Sequence, residues 1–245
     1  LYLMPPGPPL LGAELGRLLQ REGISLVTLP PSVLPQLPRD LCSGVRTLVV
    51  AGEACSAQLV NLWSAERRFI NAYGPTECTV CATLASCRPG GGTPAIGRPM
   101  ANVCVYVLDQ EGQPQPVGIP GELFIGGAGV ARGYLNQPEL TAARFVRSLF
   151  SAQPDARLYR TGDLVRWRSD GELEFLGRLD DQIKLNGFRI ELGEIEAVLR
   201  EHPAVAEAVV AVQIDAQGER RLIGYVVPAE DALAARPAAI ELWPS

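Results

Sequence analysis

With 245 residues, 47% hydrophobic and 20% charged, the chain is long enough to bury a real core, as one large domain or two smaller ones. Its 27 acidic against 22 basic side chains leave a net charge of -5, which argues against a general nucleic-acid or anionic-membrane binder. No apolar run approaches the roughly 20 residues of a membrane helix, six cysteines are too sparse for a disulfide scaffold, and the single histidine, His202, nearly excludes His-rich metal sites.

In chain order, Leu11, Leu15, Leu18 and Leu19 fall at helical spacing within residues 10 to 23, and Gly23 is a natural stop. Ile24 to Leu29 reads as a short buried strand closed by Pro30-Pro31, and Arg46 to Ala51 as a second strand ending at Gly52. Ser56 caps a helix running to about Ala65, and Phe69-Ile70 opens a third strand. Strands and helices alternating at this pitch predict a parallel or mixed α/β layer. After Cys87 the composition changes, and RPGGGTPAIGRP is a loop by its Gly and Pro content. Closely spaced strands follow at Val103 to Leu108, Glu122 to Ile125, Leu158 to Arg160, Leu164 to Trp167 and Glu172 to Leu176, interrupted by a helix from about Gln137 to Val146. They predict an antiparallel sheet or small barrel. A last unit reads as strand Gln182 to Leu185, helix Glu191 to Glu201, and strands Ala204 to Val212 and Arg220 to Val227. The Ala-rich tail has little periodicity, and no repeat of solenoid length is present.

Four stretches carry possible chemistry. Asn71-Ala72-Tyr73-Gly74-Pro75-Thr76-Glu77 places a hydroxyl and a carboxylate just after a strand, where α/β sheets bind ligands and where oxygen donors suit phosphate and Mg²⁺. The same residues also describe a plain Gly-Pro turn. Gly121 to Tyr134 (GELFIGGAGVARGY) contains Gly127-Ala128-Gly129, but Gly133 and Asn136 break the helix a dinucleotide loop needs, and RFVRSLF lacks its acid. In Tyr159-Arg160-Thr161-Gly162-Asp163-Leu164 the Asp, at a Gly turn between strands, can accept both hydroxyls of a ribose or belong to an ordinary β-turn. Gly177 to Glu196 (GRLDDQIKLNGFRIELGEIE) fits a hinge or a solvated linker where the last unit begins. Cys78-x-x-Cys81 has zinc-ligand spacing without a second pair or a nearby His, and His202 reads as a surface residue near a helix end.

In this order and spacing, the four stretches resemble the adenylation domains of nonribosomal peptide synthetases, within the superfamily of acyl-CoA synthetases and luciferases, from about Tyr2 to Val227. YRTGDL followed by GRLDDQIKLNGFRIELGEIE looks like the amino-acid-activating branch. The resemblance implies ATP-dependent activation of an amino acid as its adenylate, with release of pyrophosphate, then transfer to the phosphopantetheine thiol of a carrier domain. It assigns Asn71, Ala72, Tyr73 and Gly74 to the nucleotide, with Asn71 and Tyr73 framing adenine; Thr76 to the α-phosphate; and Glu77 to Mg²⁺. Asp163 would bind the ribose hydroxyls, Arg178 would lie near ribose and phosphates, and Asp180 would be the hinge of a small lid; Thr76, Glu77 and Arg178 form the catalytic set. The matching specificity positions are Thr28, Val49, Ala51, Ala72, Val80 and Cys81. Small, uncharged walls favour a large apolar side chain, Phe first and Tyr second. An acyl- or aryl-CoA ligase and a non-catalytic scaffold domain are the alternatives.

The match is incomplete. The family's phosphate loop and its amino-group-binding aspartate belong upstream of Leu1, and its carboxylate-contacting lysine belongs beyond Ser245, so the chain reads as a piece with little activity alone. Asn186 stands where the family is usually basic. The tail RPAAIELWPS resembles a junction into an embedded methyltransferase using S-adenosylmethionine, or a truncated variable loop. The expected architecture is a partial adenylate-forming fold. Residues 1 to 92 form an α/β layer, 93 to 178 a β-rich distorted barrel, 179 to 232 a truncated α+β lid, and 233 to 245 the junction. Expected partners are the amino acid, a carrier domain and a condensation domain in the same polypeptide, in the cytoplasm, with neither nucleic acid nor membrane.

Overall fold

Three of the four leucines spaced for one helical face line it, while Leu11 stands at the N-cap and is 47% exposed. In α1 (Gly12–Arg21), Leu15, Leu18 and Leu19 are all buried. The structure, a computed structural model, describes Tyr2 and residues 10–180, 182–185, 188–214 and 220–229. Asn186 and the tail expected to lead into a methyltransferase lie outside the described residues. The chain divides into two compact units, Leu1–Asp180 and Asp181–Ser245.

The first unit opens with β1 (Leu26–Leu29), β2 (Thr47–Val50), α2 (Ala57–Trp63), β3 (Arg68–Tyr73), β4 (Thr83–Cys87) and β5 (Arg98–Pro99). Ser56 caps α2 as expected, its hydroxyl accepting the Leu59 N–H at 3.2 Å. The five strands form one sheet in sequence order, β1, β2 and β3 parallel, β4 and β5 antiparallel. Alternation along the strands sorts the side chains: Leu48, Val50 and Phe69 are buried with Leu15, Leu19, Val60 and Trp63 from the helices. The opposite face carries Thr28, Val49 and Ile70, which are register partners across the three parallel strands. Strands β4 and β5 are additions to the sequence reading. Thr83 and Ala85, one polar and both small, are the buried positions of β4, so it lacks the apolar signal of its neighbours.

A second sheet is wholly antiparallel. It comprises β6 (Val103–Leu108), β7 (Gly121–Gly127), β8 (Phe145–Arg147), β9 (Arg157–Trp167) and β10 (Leu173–Arg178), with α3 (Pro138–Arg144) before β8. The order is β10-β9-β7-β6 with β8 on β9. Two expectations are corrected here. The helix expected to run through Val146 stops at Arg144, because Phe145 buries its ring against Tyr159 in a strand instead. The two strands expected at Leu158 to Arg160 and Leu164 to Trp167 are one strand, and Thr161-Gly162-Asp163 is a bulge inside it rather than a turn.

The second unit pairs β11 (Gln182–Leu185) with β12 (Phe188–Glu191), a further added strand, and then forms α4 (Leu192–Arg200). A long hairpin of β13 (Val205–Ile214) and β14 (Arg220–Pro228) follows. Glu196 of α4 accepts the Val210 N–H at 2.9 Å, fixing the helix on β13.

Candidate functional site

The end of β3 positions the first group of residues. Asn71, Ala72 and Tyr73 are buried, and the Asn71 amide donates to the Ala95 carbonyl at 2.8 Å. After Tyr73 the chain makes a single 3-10 turn at Thr76–Cys78, and the Ala82 N–H returns to the Tyr73 carbonyl at 2.8 Å. Gly74 sits under this return. A Cβ there would lie 2.6 Å from the Val80 carbonyl oxygen and 2.7 Å from both the Ala82 nitrogen and the Cys81 Cα. Thr79 and Val80 take left-handed backbone conformations, φ 60° and 70°, unusual for β-branched residues, and the Thr79 hydroxyl donates to the Gly129 carbonyl at 2.7 Å.

Within this turn Thr76 is exposed and Glu77 is 8% exposed. One oxygen of Glu77, Oε1, accepts the Tyr134 hydroxyl at 2.6 Å and the Tyr159 hydroxyl at 2.8 Å. Burial, followed by the bond to Glu77, pushes the Tyr134 phenol far above its ordinary range, so it stays a neutral donor. Both tyrosines lie within the sequence motifs, Tyr134 after the Gly-rich run and Tyr159 before Arg160, but nothing local to either motif points to Glu77.

Asp163 is the centre of the second group. It stands in the β9 bulge, is 6% exposed, and is the register partner of Arg178 on β10. Tyr73 donates its hydroxyl to Asp163 Oδ2, and Arg178 Nη1 donates to Oδ1 at 2.6 Å. Burial first, then the Asp163 charge, raises the Tyr73 phenol well above its usual value. Arg178 also holds Asp180 with two further bonds, Nε to Oδ1 at 2.6 Å and Nη2 to Oδ2 at 2.7 Å. The first unit therefore brings Tyr73, Asp163, Arg178 and Asp180 into one connected network.

Of the six positions that the resemblance assigns to a pocket, Thr28, Val49 and Ala72 follow one face of the sheet, and Ala51 lies just past the end of β2. Thr28 and Val49 are register partners, Ala51 follows Val49 by two, and Ala72 stands two beyond Ile70, the partner of Val49. Val80 and Cys81 lie in the turn after β3, Val80 being 72% exposed. Among the described residues no three His, Cys, Asp or Glu side chains gather as a ready metal cage. Glu77 beside the exposed Thr76 offers the oxygen donors that suit Mg²⁺, which commonly completes its shell with waters and substrate phosphates.

Residues 1–135 match the AMP-binding enzyme family, and residues 194–243 match the AMP-binding enzyme C-terminal domain. The chain belongs to the AMP-binding enzyme family. Within it, its kin are adenylation domains of nonribosomal peptide synthetases. Phosphinothricin tripeptide synthetase PhsC of Streptomyces viridochromogenes is 50% identical over 232 residues, covering 95% of this chain and 21% of that protein. Among solved structures, NpsA-ThdA, an artificially fused adenylation-PCP di-domain from Klebsiella oxytoca, matches with TM-score 0.80 and 29% identity, over 95% of this chain and 44% of that one. The Vibrio cholerae adenylation domain AlmE, solved with glycyl-adenosine-5'-phosphate, matches with TM-score 0.75 and 27% identity, over 86% of this chain and 42% of that one. This AMP-binding enzyme chain thus spans less than half of either structure and about a fifth of the tripeptide synthetase. Among its described residues, no helix is long and apolar enough to cross a membrane.

Proposed function

We propose that this chain supplies the nucleotide-facing and hinge residues of a domain that activates an amino acid as aminoacyl-AMP and passes it to a carrier-domain thiol. In the first step an oxygen of the amino-acid carboxylate bonds to the α-phosphorus of ATP, and the α–β bridging bond breaks, releasing pyrophosphate. In the second the phosphopantetheine thiol attacks the carbonyl, AMP leaves and the thiol proton passes to solvent. The observation that carries the reading is the buried Tyr73–Asp163–Arg178 network, a carboxylate already aimed by a phenol and a guanidinium.

In this reading Asp163 accepts the ribose hydroxyls and Arg178 faces ribose and phosphates. Asn71 and Tyr73 frame adenine with Ala72 and Gly74, and Thr76 meets the α-phosphate. Glu77 would hold Mg²⁺, whose charge offsets that of the phosphates when bound. The phenols of Tyr134 and Tyr159 hold Glu77 in place beforehand, so less ordering is needed when ligand arrives. Asp180 is the hinge for a lid, and the domain layout is that of residues 1 to 92, 93 to 178 and 179 to 232, with 233 to 245 as the junction. The shared face of Thr28, Val49 and Ala72, with Ala51 just past β2, supports an apolar pocket, which with Val80 and Cys81 we assign to phenylalanine before tyrosine. The adenylation-PCP pairing named for NpsA-ThdA and the aminoacyl-AMP named for AlmE support the carrier partner and the adenylate. A condensation domain in the same polypeptide, a cytoplasmic setting, and S-adenosylmethionine only where a methyltransferase is embedded downstream complete the proposal.

The deciding experiment is amino-acid-dependent ATP–pyrophosphate exchange on this chain within a complete adenylation domain. Exchange led by Phe or Tyr is expected. Leu or Val outcompeting both would remove the aromatic assignment, and no exchange with any amino acid in a folded protein would favour an acyl- or aryl-CoA ligase or a scaffold role.

A further inference from the structure

Glu122 on β7 is a buried carboxylate, 8% exposed, outside the residues assigned above. It stands where β9 departs from its regular ladder. Between the pairs Glu122–Leu164 and Phe124–Arg160, β7 advances through one residue, Leu123, while β9 advances through Thr161, Gly162 and Asp163. The excess residues fall outside the regular ladder and take their hydrogen bonds from side chains. Glu122 Oε1 accepts the Gly162 N–H at 3.0 Å, standing in for a ladder carbonyl. The Thr161 hydroxyl donates to the Leu123 carbonyl at 2.7 Å and accepts the Asp163 N–H at 3.0 Å. Gly162 itself takes φ +74°. Arg160, half exposed, donates from Nε to both Glu122 oxygens at 3.0 and 2.9 Å and balances the buried charge from the solvent side.

We propose that Glu122 is a positioning residue for Asp163: its carboxylate moulds the β9 bulge, and the bulge sets the angle at which Asp163 meets the ribose. This rests on the reading of Asp163 as the ribose acceptor. A buried N–H left unpaired is costly, so loss of the Glu122 acceptor drives the bulge into another conformation and swings Asp163 away.

The test compares ATP with 2′-deoxyATP and 3′-deoxyATP as substrates for pyrophosphate exchange, in a complete adenylation domain containing this chain, with thermal melts alongside. Glu122→Met, similar in shape but without an acceptor, is expected to lose about tenfold of the preference for ATP over the deoxy analogue that wild type discriminates most, reaching the level of Asp163→Ala. Glu122→Gln, which keeps an oxygen for the Gly162 N–H, is expected to retain the preference within about twofold. In the Asp163→Ala background Glu122→Met adds no further rise in KM for ATP, because both act through one group. The proposal is overturned if Glu122→Met keeps the preference, if Gln and Met fail equally, or if the double variant is additive. Should Glu122→Met not fold, Thr161→Val removes the other brace of the bulge; the same loss is expected, and an unchanged preference overturns the idea. If Asp163→Ala itself leaves the preference intact, the ribose reading falls and this proposal with it. If Asp163→Ala abolishes it while Glu122→Met does not, only the role of Glu122 falls.

Discussion

One oxygen of Glu77 accepts two tyrosine hydroxyls, so removing the charge and removing the side chain are different experiments. Glu77→Gln keeps an acceptor for Tyr134 and Tyr159 and should melt close to wild type. Its pyrophosphate exchange should nonetheless fall on the order of a hundredfold, since an amide is a far poorer ligand for Mg²⁺. Glu77→Ala removes the acceptor that two phenols share, one of them fully buried, and should cost about 2 kcal/mol in urea denaturation as well as activity. Equal stability of the two variants would deny the clamp. The carboxylate itself is legible in the sequence, because an acid after a strand-ending Gly-Pro has a chemistry of its own. Its clamp is not, since Tyr134 and Tyr159 lie 57 and 82 residues away and meet Glu77 only once the second sheet is folded.

At the scale of elements, periodicity finds the strands that bury apolar side chains and misses those that do not. β2 and β6 read plainly from Val and Leu, whereas β4 buries only Thr83 and Ala85 and leaves no such trace. In β9 the Gly suggests a turn because a positive φ marks turns and bulges alike, and only the register with β7 tells them apart. The sequence does carry a signal for β12, since an Asn-Gly dipeptide, a common hairpin signal, precedes Phe188. The two local devices that hold the α/β layer should rank differently on mutation. Ser56→Ala removes one helix-capping bond and should cost about 1 kcal/mol. Gly74→Ala pushes a Cβ into backbone atoms of three residues, where no side chain can give way, and should cost about 3 kcal/mol and move the Thr76–Cys78 turn. Urea midpoints of the two variants decide the order, and a Gly74→Ala as mild as Ser56→Ala would refute the close approach.

For the whole chain, the resemblance in four motifs reaches the family and its fold, while the response to alkaline pH comes only from packing. Cys55 lies in the core between helices and first sheet, and Cys78 in the core under the second. Burial raises both thiols to about 12, with Cys87 adding at Cys55 and Glu77 at Cys78, against 9.0 for a free thiol. Below pH 9 both thiols are protonated whether the chain is folded or not, and their contribution to stability is fully present. Between about 9 and 12 the unfolded thiols ionise while the folded ones do not, so the unfolded state gains about 1.4 kcal/mol per pH unit for each. The buried Tyr73 phenol, also raised, adds in the same sense at the upper end. Urea midpoints should therefore fall steadily from pH 9 to 11, and the Cys55→Ala, Cys78→Ala double variant, weaker at pH 7 for its lost packing, should show a shallower fall over the same range. A parallel slope in the double variant would assign the alkaline loss to other groups. Native-state labelling at pH 8 gives an independent check: the exposed Cys104 should alkylate quickly, and Cys55 and Cys78 only as fast as the first unit opens.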